Sequence, residues 1–174
     1  IAKLLLAHPK INVNLGNDIG STPLHIASYK GDVELAKLLL KHGDINVNIQ
    51  DQDKDTPLHF ASLNGHNEIV ELLLAREDIM VNIQTEYSNS PVHIAPINEY
   101  PESSKLLLAR KDINVNIQNN DENSPLHIAS LNDYTDIVEL LLAHPKINVN
   151  LGNNIRSTPL HFASLNDYTD IVEL

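Results

Sequence analysis

Apolar and polar positions follow two periodic patterns along the chain, one with the period of a helix and one with a period of two. Residues 124–157 show both patterns. Leu126 and Ala129 are spaced as on one face of a helix, and residues 135–144 place Ile, Val and Leu on a broader helical face. Polar residues 132–133 separate the two stretches. The pattern predicts a short helix followed by a second helix that ends before Pro145.

The boundaries of these helices carry their own signals. Ser124 precedes Pro125, which predicts a hydroxyl N-cap and a proline in the first turn, where its missing N–H loses no hydrogen bond. Residues 147–151 alternate Ile, Asn, Val, Asn and Leu, a period of two that predicts extended chain. Residues 152–157 are polar and predict a turn. The unit is thus a helix pair followed by an extended arm.

This unit returns in constant register. The tetrapeptide Thr-Pro-Leu-His, or a close variant of it, begins at residues 22, 56, 90, 124 and 158, which is a period of 34 residues. A fixed period of this size is typical of a linear array, in which each unit buries its apolar face against its neighbours. Such arrays have no single closed core, and they present surfaces for interaction more often than active sites.

The run Thr-Pro-Leu-His-x-Ala, followed by Ile-Val-Glu-Leu-Leu-Leu and Val-Asn, resembles the ankyrin repeat over the whole chain. The resemblance implies an all-α solenoid of antiparallel helix pairs with projecting β-hairpin-like arms. It also implies a non-catalytic scaffold that binds a protein partner in a concave groove of arm tips and first helices. We divide the single array into a partial repeat 1–21, full repeats 22–55, 56–89, 90–123 and 124–157, and a truncated repeat 158–174.

Both ends of the sequence fall within predicted second helices, without the polar capping units that an isolated array requires. We therefore expect residues 1–174 to be a fragment of a longer chain, and we expect the uncapped terminal repeats to permit end-to-end self-association. Two further functions stay open for such a fragment. One is a targeting or regulatory arm of a larger enzyme or toxin-like protein, and the other is a structural spacer or spring.

The chain departs from the usual ankyrin pattern in three places. Its units have 34 residues where the family has about 33, and we place the extra residue in the arm, where Ile45, Val47 and Ile49 are expected to cover the helix ends. The glycine usual near the arm tip survives only as Gly20, so the other tips are expected to be looser or differently shaped. In repeat 90–123, Pro96 falls within the first helix and predicts a shortened or kinked helix.

Composition narrows the range of functions. The chain has no Cys, which excludes disulfides, thiolate metal sites and cysteine nucleophiles. Its net charge of −11 disfavours nucleic acids and anionic membranes as partners, and favours a protein with a basic or mixed-charge surface. No apolar run reaches the length of a transmembrane helix. We expect an intracellular location, most simply the cytoplasm, while a secreted effector stays open.

The five motif histidines invite a metal site or acid–base catalysis. Equivalent helices of neighbouring layers lie about 8–10 Å apart, however, whereas each ligand of a zinc ion lies about 2 Å from it. We therefore expect these rings to tie one repeat to the next by hydrogen bonds. Asp51, Asp53 and Asp55 resemble the start of a calcium loop, but its Gly and distal Glu are missing. No catalytic residue, metal or cofactor is predicted.

The predicted partner-binding surface combines the end of each first helix with the arm tips. The two residues that follow Ala-Ser, or Ala-Pro in one repeat, are Tyr29 and Lys30, Leu63 and Asn64, Ile97 and Asn98, Leu131 and Asn132, and Leu165 and Asn166. The polar rim at the tips is Asp53, Lys54, Asp55, Glu86, Tyr87, Asp121, Glu122, Asn154 and Arg156. If the first members of the pairs are exposed, they form a binding stripe; if they are covered, they are packing between repeats.

Overall fold

The computed structural model describes residues 1–95 and 101–165, and within those ranges every regular element is a helix. In chain order the helices are α1 (Ala2–Leu6), α2 (Pro23–Lys30), α3 (Val33–Leu40), α4 (Pro57–Leu63), α5 (Asn67–Leu74), α6 (Pro91–Ile94), α7 (Pro101–Leu108), α8 (Pro125–Leu131), α9 (Thr135–Leu142) and α10 (Pro159–Leu165). The even-numbered helices are the first helices of their repeats, and the odd-numbered ones are the second helices.

The helices form two stacked layers. Each of the first helices α2, α4, α6 and α8 packs against the second helix of its own repeat, and the first helices pack against one another from repeat to repeat. The second helices stack in the same order, from α1 to α9. The predicted solenoid of helix pairs is therefore confirmed.

The start of each first helix follows the predicted capping pattern. The hydroxyl oxygen of Thr22 accepts a hydrogen bond from the backbone N–H of His25, and Pro23 occupies the first turn. His25 returns the bond, because its ring Nδ1 accepts from the backbone N–H of Thr22 at 3.1 Å. Thr56 and His59 make the same reciprocal pair. The motif thus satisfies two backbone N–H groups that a helix start otherwise leaves unpaired.

The core is built from thin layers of aliphatic side chains. The motif alanines, which allow the first helices to approach closely, are all fully buried: Ala27, Ala61, Ala95, Ala129 and Ala163. Ile45 and Val47 from the arm are buried in the same core as the helices, and Ile49 is half-buried. The predicted covering role of the arm residues is confirmed for the two buried ones.

Repeat 90–123 has a first helix about half as long as its counterparts. α6 has four residues, whereas the other first helices have seven or eight. It ends at Ile94, ahead of Pro96, in agreement with the predicted shortening. A proline inside a helix removes a backbone hydrogen bond and clashes with the preceding turn. Pro96 itself lies outside the described residues.

The second helix of the same repeat carries polar side chains in its core. Ser103 and Ser104 in α7 are 0% and 1% exposed, at positions that α5 fills with Ile69 and Val70. Ser103 donates to the side-chain oxygen of Asn67 at 2.6 Å, while the Ser104 hydroxyl has no hydrogen-bond partner among the described residues. The core is therefore less apolar here than in the other repeats.

The arms contain turns where the alternating pattern predicts extended chain, so that prediction was wrong. Val47 and Asn48 form a turn, in which the side-chain oxygen of Asn46 accepts a hydrogen bond from the backbone N–H of Asn48 at 3.0 Å. Asparagine favours such local bonding over a strand ladder. The period of two survives only in burial, since Val47 is buried while Asn46 is exposed.

In four of the arms, one asparagine joins the arm to the next arm. The side-chain amide of Asn48 donates to the carbonyl of Asp78 at 2.6 Å, and its oxygen accepts from the backbone N–H of Met80 at 2.8 Å. The same pair of bonds is made in the other arms by Asn14, Asn82 and Asn116. We call these four residues the asparagine clamps. They hold each arm in fixed register against the following one.

The arm tips share one backbone shape, so the expectation of differently shaped tips is wrong. Gly20 has a φ of 77°, and the residues at its position in later tips have φ between 57° and 61°: Lys54, Ser88, Glu122 and Arg156. Such left-handed residues are strained when they carry a Cβ. Side-chain amides hold three of these tips closed, since Gln50, Gln84 and Gln118 each donate to the carbonyl of the left-handed residue four positions later.

Candidate protein-binding surface

The motif histidines join neighbouring repeats, as the sequence predicts. In four of the five, ring Nε2 donates to a backbone carbonyl 30 residues later at 3.0–3.1 Å, in the pairs His25 with Asp55, His59 with Asn89, His93 with Asn123, and His127 with Ser157. Because a carbonyl only accepts, Nε2 carries the proton, and Nδ1 is the acceptor for the N-cap N–H. Both ring nitrogens are therefore used in holding the stack together.

Burial keeps these rings uncharged near neutral pH. Removal from water lowers the pKa of His25 and His127, and it lowers the pKa of His59 and His93 to about 4. The rings are consequently neutral at physiological pH. Within residues 1–95 and 101–165 no group of three or more His, Cys, Asp or Glu side chains is placed to hold a metal ion.

The apolar row at the ends of the first helices is exposed in part. Tyr29 is 57% exposed, Leu131 43% and Leu165 77%, whereas Leu63 is half-buried. The Tyr29 ring meets the ring of Phe60 edge-on, with centroids 6.0 Å apart, and still presents more than half of its surface to solvent. Ile97, Asn98 and Asn166 of the predicted surface lie outside the described residues.

The polar partners in this row differ from one another. Lys30 is exposed at the end of α2. Asn64 and Asn132 instead use their side-chain amides on their own helices, donating at 2.8 Å to the carbonyls of Phe60 and Ile128. The two asparagines therefore donate to carbonyls near the ends of α4 and α8.

One position of the surface was missed at the sequence level. The residue directly after the motif histidine reaches solvent in α2, where Ile26 is 41% exposed, and is half-buried as Phe60 in α4 and Ile128 in α8. The available signal was helical spacing, since Ile26 precedes Tyr29 by three residues and so shares its face. Together the two side chains make the apolar patch on α2 larger than predicted.

The arm tips present the expected polar rim. Its exposed members are Asp53, Lys54, Glu86, Tyr87, Asp121, Glu122, Asn154 and Arg156. Asp55 is half-buried, and burial together with the nearby carboxylates of Asp51 and Asp53 raises its pKa to about 6. Carboxylates are thus crowded on this tip, and they favour a cation as their neighbour.

The likeness of Asp51, Asp53 and Asp55 to a calcium loop has a local explanation. The Oδ1 atom of Asp51 accepts hydrogen bonds from the backbone N–H groups of Asp53 at 3.1 Å and Asp55 at 3.0 Å. Asn119 and Asn153 make the same two bonds in later tips. The first residue of the tip is therefore a turn-forming side chain, whether it is charged or not.

Stacked helix pairs, joined by buried neutral rings and by side-chain amides, define a repeat solenoid that presents a surface. A family model for ankyrin repeats (three copies) matches residues 1–87, 44–119 and 92–174, and the chain belongs to the ankyrin repeat family. Its structure is similar to the crystal structure of EF0377, an ankyrin repeat protein, with a TM-score of 0.90 and 26% identity over 98% of this chain and 87% of that one.

No curated protein matches the sequence. In the part of the chain that the structure describes, no helix is both long enough and apolar enough to cross a membrane. Ankyrin repeats are in general modules for protein–protein interaction, and that general role applies to this chain as a member of the family.

Proposed function

We propose that this array binds a protein partner along the groove formed by its first helices and arm tips. The observation that carries the proposal is the exposure of large apolar side chains at the ends of α2 and α8, where Tyr29 is 57% and Leu131 43% exposed. Ile26 extends the patch on α2. Exposed aromatic and aliphatic side chains beside a polar rim are typical of interaction surfaces.

The charge of the rim favours a basic or mixed-charge partner. The five tips, residues 17–21, 51–55, 85–89, 119–123 and 153–157, contain seven carboxylates and two cations, Lys54 and Arg156. This excess has the same sign as the net charge of −11, so the long-range field of the molecule also attracts positive surfaces. Complementary charge raises the association rate more than the final affinity.

A capture experiment with matched variants tests the proposal. The array is used as bait, and a captured protein is then re-measured against the double variant Tyr29→Ser/Leu131→Ser. The control is Glu71→Lys/Glu139→Lys, which reverses two exposed charges on the second helices α5 and α9. We expect at least tenfold weaker binding for the first-helix variant and unchanged binding for the control, with equal helicity by circular dichroism.

The opposite pattern of binding would contradict the proposal that the partner binds in the groove. If the first-helix variant binds as tightly as the parent, the apolar row is not the contact surface. If the control variant alone loses binding, the partner sits on the second-helix layer. Charge reversal at Asp121 and Glu122 provides a further check, because a basic partner should bind that variant more weakly and with a smaller dependence on salt.

A further inference from the structure

The third residue of each arm tip forms a row in which apolar and acidic side chains alternate. In order along the array the row is Ile19, Asp53, Tyr87, Asp121 and Ile155. Ile19, Tyr87 and Ile155 are 58%, 68% and 71% exposed, and both aspartates are exposed as well. We call these five residues the tip row. Its apolar members are among the most exposed large apolar side chains of the described chain outside the two terminal helices.

Backbone hydrogen bonds hold the tip row in place. The carbonyl of Asp53 accepts from the N–H of Glu86 at 2.9 Å, and the carbonyl of Tyr87 accepts from the N–H of Asn120 at 3.2 Å. The carbonyls of Ile19 and Asp121 are bound in the same way by the following tip. The side chains of the row therefore project from a connected backbone, and a partner meets them without first having to order the loops.

These backbone hydrogen bonds also limit how a partner can recognise the tip row. Addition of a strand needs free backbone donors and acceptors, but the carbonyls of four of the five row residues are already bound to the next tip. The N–H of Asp53 is held by the Asp51 side chain, and the N–H of Asp121 is held by Asn119. Recognition must therefore go through the side chains of the row.

The spacing of the row suits one face of a helix. Neighbouring layers of packed helices lie about 8–10 Å apart, and seven residues of an α-helix rise about 10.5 Å. A helix laid along the tips thus presents a side chain to successive tips about every seventh residue, with a drift around the helix of only about 20° from one tip to the next. The alternation in the tip row then requires apolar and basic side chains in turn at these positions.

We propose that the partner presents one face of an α-helix along the arm tips, with large apolar side chains against Ile19, Tyr87 and Ile155 and Lys or Arg against Asp53 and Asp121. This inference rests on the proposed protein-binding function and specifies the chemistry of the partner. Asp51 adds negative charge near Asp53 and Glu122 adds it beside Asp121, whereas the residues that directly follow Asp53 and Ile155 are the cations Lys54 and Arg156. The acidic excess lies in the middle tips, where the two basic contacts are placed.

A designed helix tests this pairing without knowledge of the natural partner. The probe is an alanine- and glutamine-rich peptide of about 30 residues, with Leu and Arg alternating at every seventh position. The matched peptide carries Glu in place of each Arg. We expect the array to bind the Arg peptide at least tenfold more tightly than the Glu peptide, as measured by isothermal titration calorimetry.

Two variants of the array locate the contact. Ile19→Ser/Tyr87→Ser/Ile155→Ser should weaken binding of the Arg peptide at least tenfold, because it removes the apolar contacts. Asp53→Lys/Asp121→Lys should reverse the preference, so that the Glu peptide binds more tightly than the Arg peptide. All five side chains are exposed, so both variants should keep the circular dichroism spectrum of the parent.

The possible results distinguish failure of the tip-row pairing from failure of the proposed protein-binding function. Equal binding of the two peptides, or no reversal in the lysine variant, overturns the pairing. If the Arg peptide is instead weakened by Tyr29→Ser/Leu131→Ser and not by the tip-row variant, the groove still binds protein but the assignment to the tip row is wrong. If a captured natural partner is insensitive to both sets, the proposed groove function fails as well.

Discussion

The side-chain oxygen of Asn48 accepts a hydrogen bond from the backbone N–H of Met80, 32 residues later in the chain, at 2.8 Å. The amide of the same side chain donates to the carbonyl of Asp78 at 2.6 Å. One side chain thus satisfies both a donor and an acceptor of the next arm. Since four arms repeat this arrangement, the clamps are a regular means of joining repeats, beside the histidines.

Loss of a clamp should destabilise the array. Asn48→Ala removes two hydrogen bonds between arms, and we expect it to lower the free energy of unfolding by about 1–2 kcal/mol. The matched control is Asn46→Ala, whose side chain bonds to the N–H of Asn48 within its own arm. The control should lose less than about 1 kcal/mol. Urea denaturation followed by circular dichroism measures both, and equal losses would show that the clamp contributes nothing beyond the local turn.

Relief of backbone strain at a tip should stabilise the array. Lys54 has a φ of 61°, in the left-handed region where a Cβ is unfavourable. We expect Lys54→Gly to raise the free energy of unfolding by about 0.5–1 kcal/mol, since the relief exceeds the entropy that glycine adds to the unfolded chain. Lys54→Ala keeps the Cβ and should leave stability nearly unchanged. A destabilised alanine variant would show that the lysine charge also contributes to stability, as a cation beside the carboxylates of this tip.

Replacement of Ser104, whose hydroxyl group is buried, should increase the stability of the array. Ser104→Val restores the side chain found at the equivalent Val70 and removes a buried polar group without a partner in the described structure. We expect stability to rise by about 1–2 kcal/mol. The reverse change, Val138→Ser in α9, should lower stability by about 2 kcal/mol. Thermal unfolding of both variants checks the pair, and a destabilised Ser104→Val would mean that the site has no room for the added methyl group.

The neutral histidines predict loss of stability in mild acid. The pKa of His59 and of His93 is about 4 in the folded protein, against an ordinary value of 6.5. The unfolded chain therefore binds protons more readily, so stability is complete above pH 6.5, falls as the pH drops towards 4, and then levels off. Each of these rings accounts for roughly 3 kcal/mol of that fall. Urea denaturation across this range measures it.

Two variants separate this effect from other titrations. His59→Gln should flatten the loss between pH 6.5 and 4, because one of the titrating rings is gone. Asp55 acts in the opposite direction: its pKa is raised to about 6, so its protonation adds stability as the pH falls through that value. Asp55→Asn should therefore steepen the loss. If both variants follow the parent curve, other groups control the acid response.

Most of the fold was predictable because it depends on local rules repeated at a fixed period. The capping role of Thr22 and Pro23, the burial of Ala27 and the linking role of His25 follow from residue type and position in a stack. The clamp of Asn48 was not predictable, because both of its hydrogen-bond partners lie in the next arm. In the sequence, Asn48 also looks like an ordinary polar residue of an alternating extended segment. The shape of the Lys54 tip was missed because its support comes from the Gln50 side chain.

The positions that form the proposed binding surface were predictable, but the solvent exposure of their side chains was not. Tyr29 and Leu63 occupy equivalent positions, yet the first is 57% exposed and the second is half-buried. Such a difference depends on the neighbouring layer, which a single repeat does not describe. Ile19 and Ile155 were overlooked because apolar residues in a polar loop carry no periodic signal. They stand out only when the tips are aligned in space.

The bonds between repeats also set how the chain folds. They join residues between 30 positions apart, as in the bond from His25 to Asp55, and 37 positions apart, as in that from His66 to Tyr29. The entropy of closing each loop is therefore nearly the same along the array, and an added repeat brings no longer loop. Folding should spread from one repeat to the next at a rate that does not depend on total length, and it should pause at repeat 90–123, where α6 is short and the core holds serine.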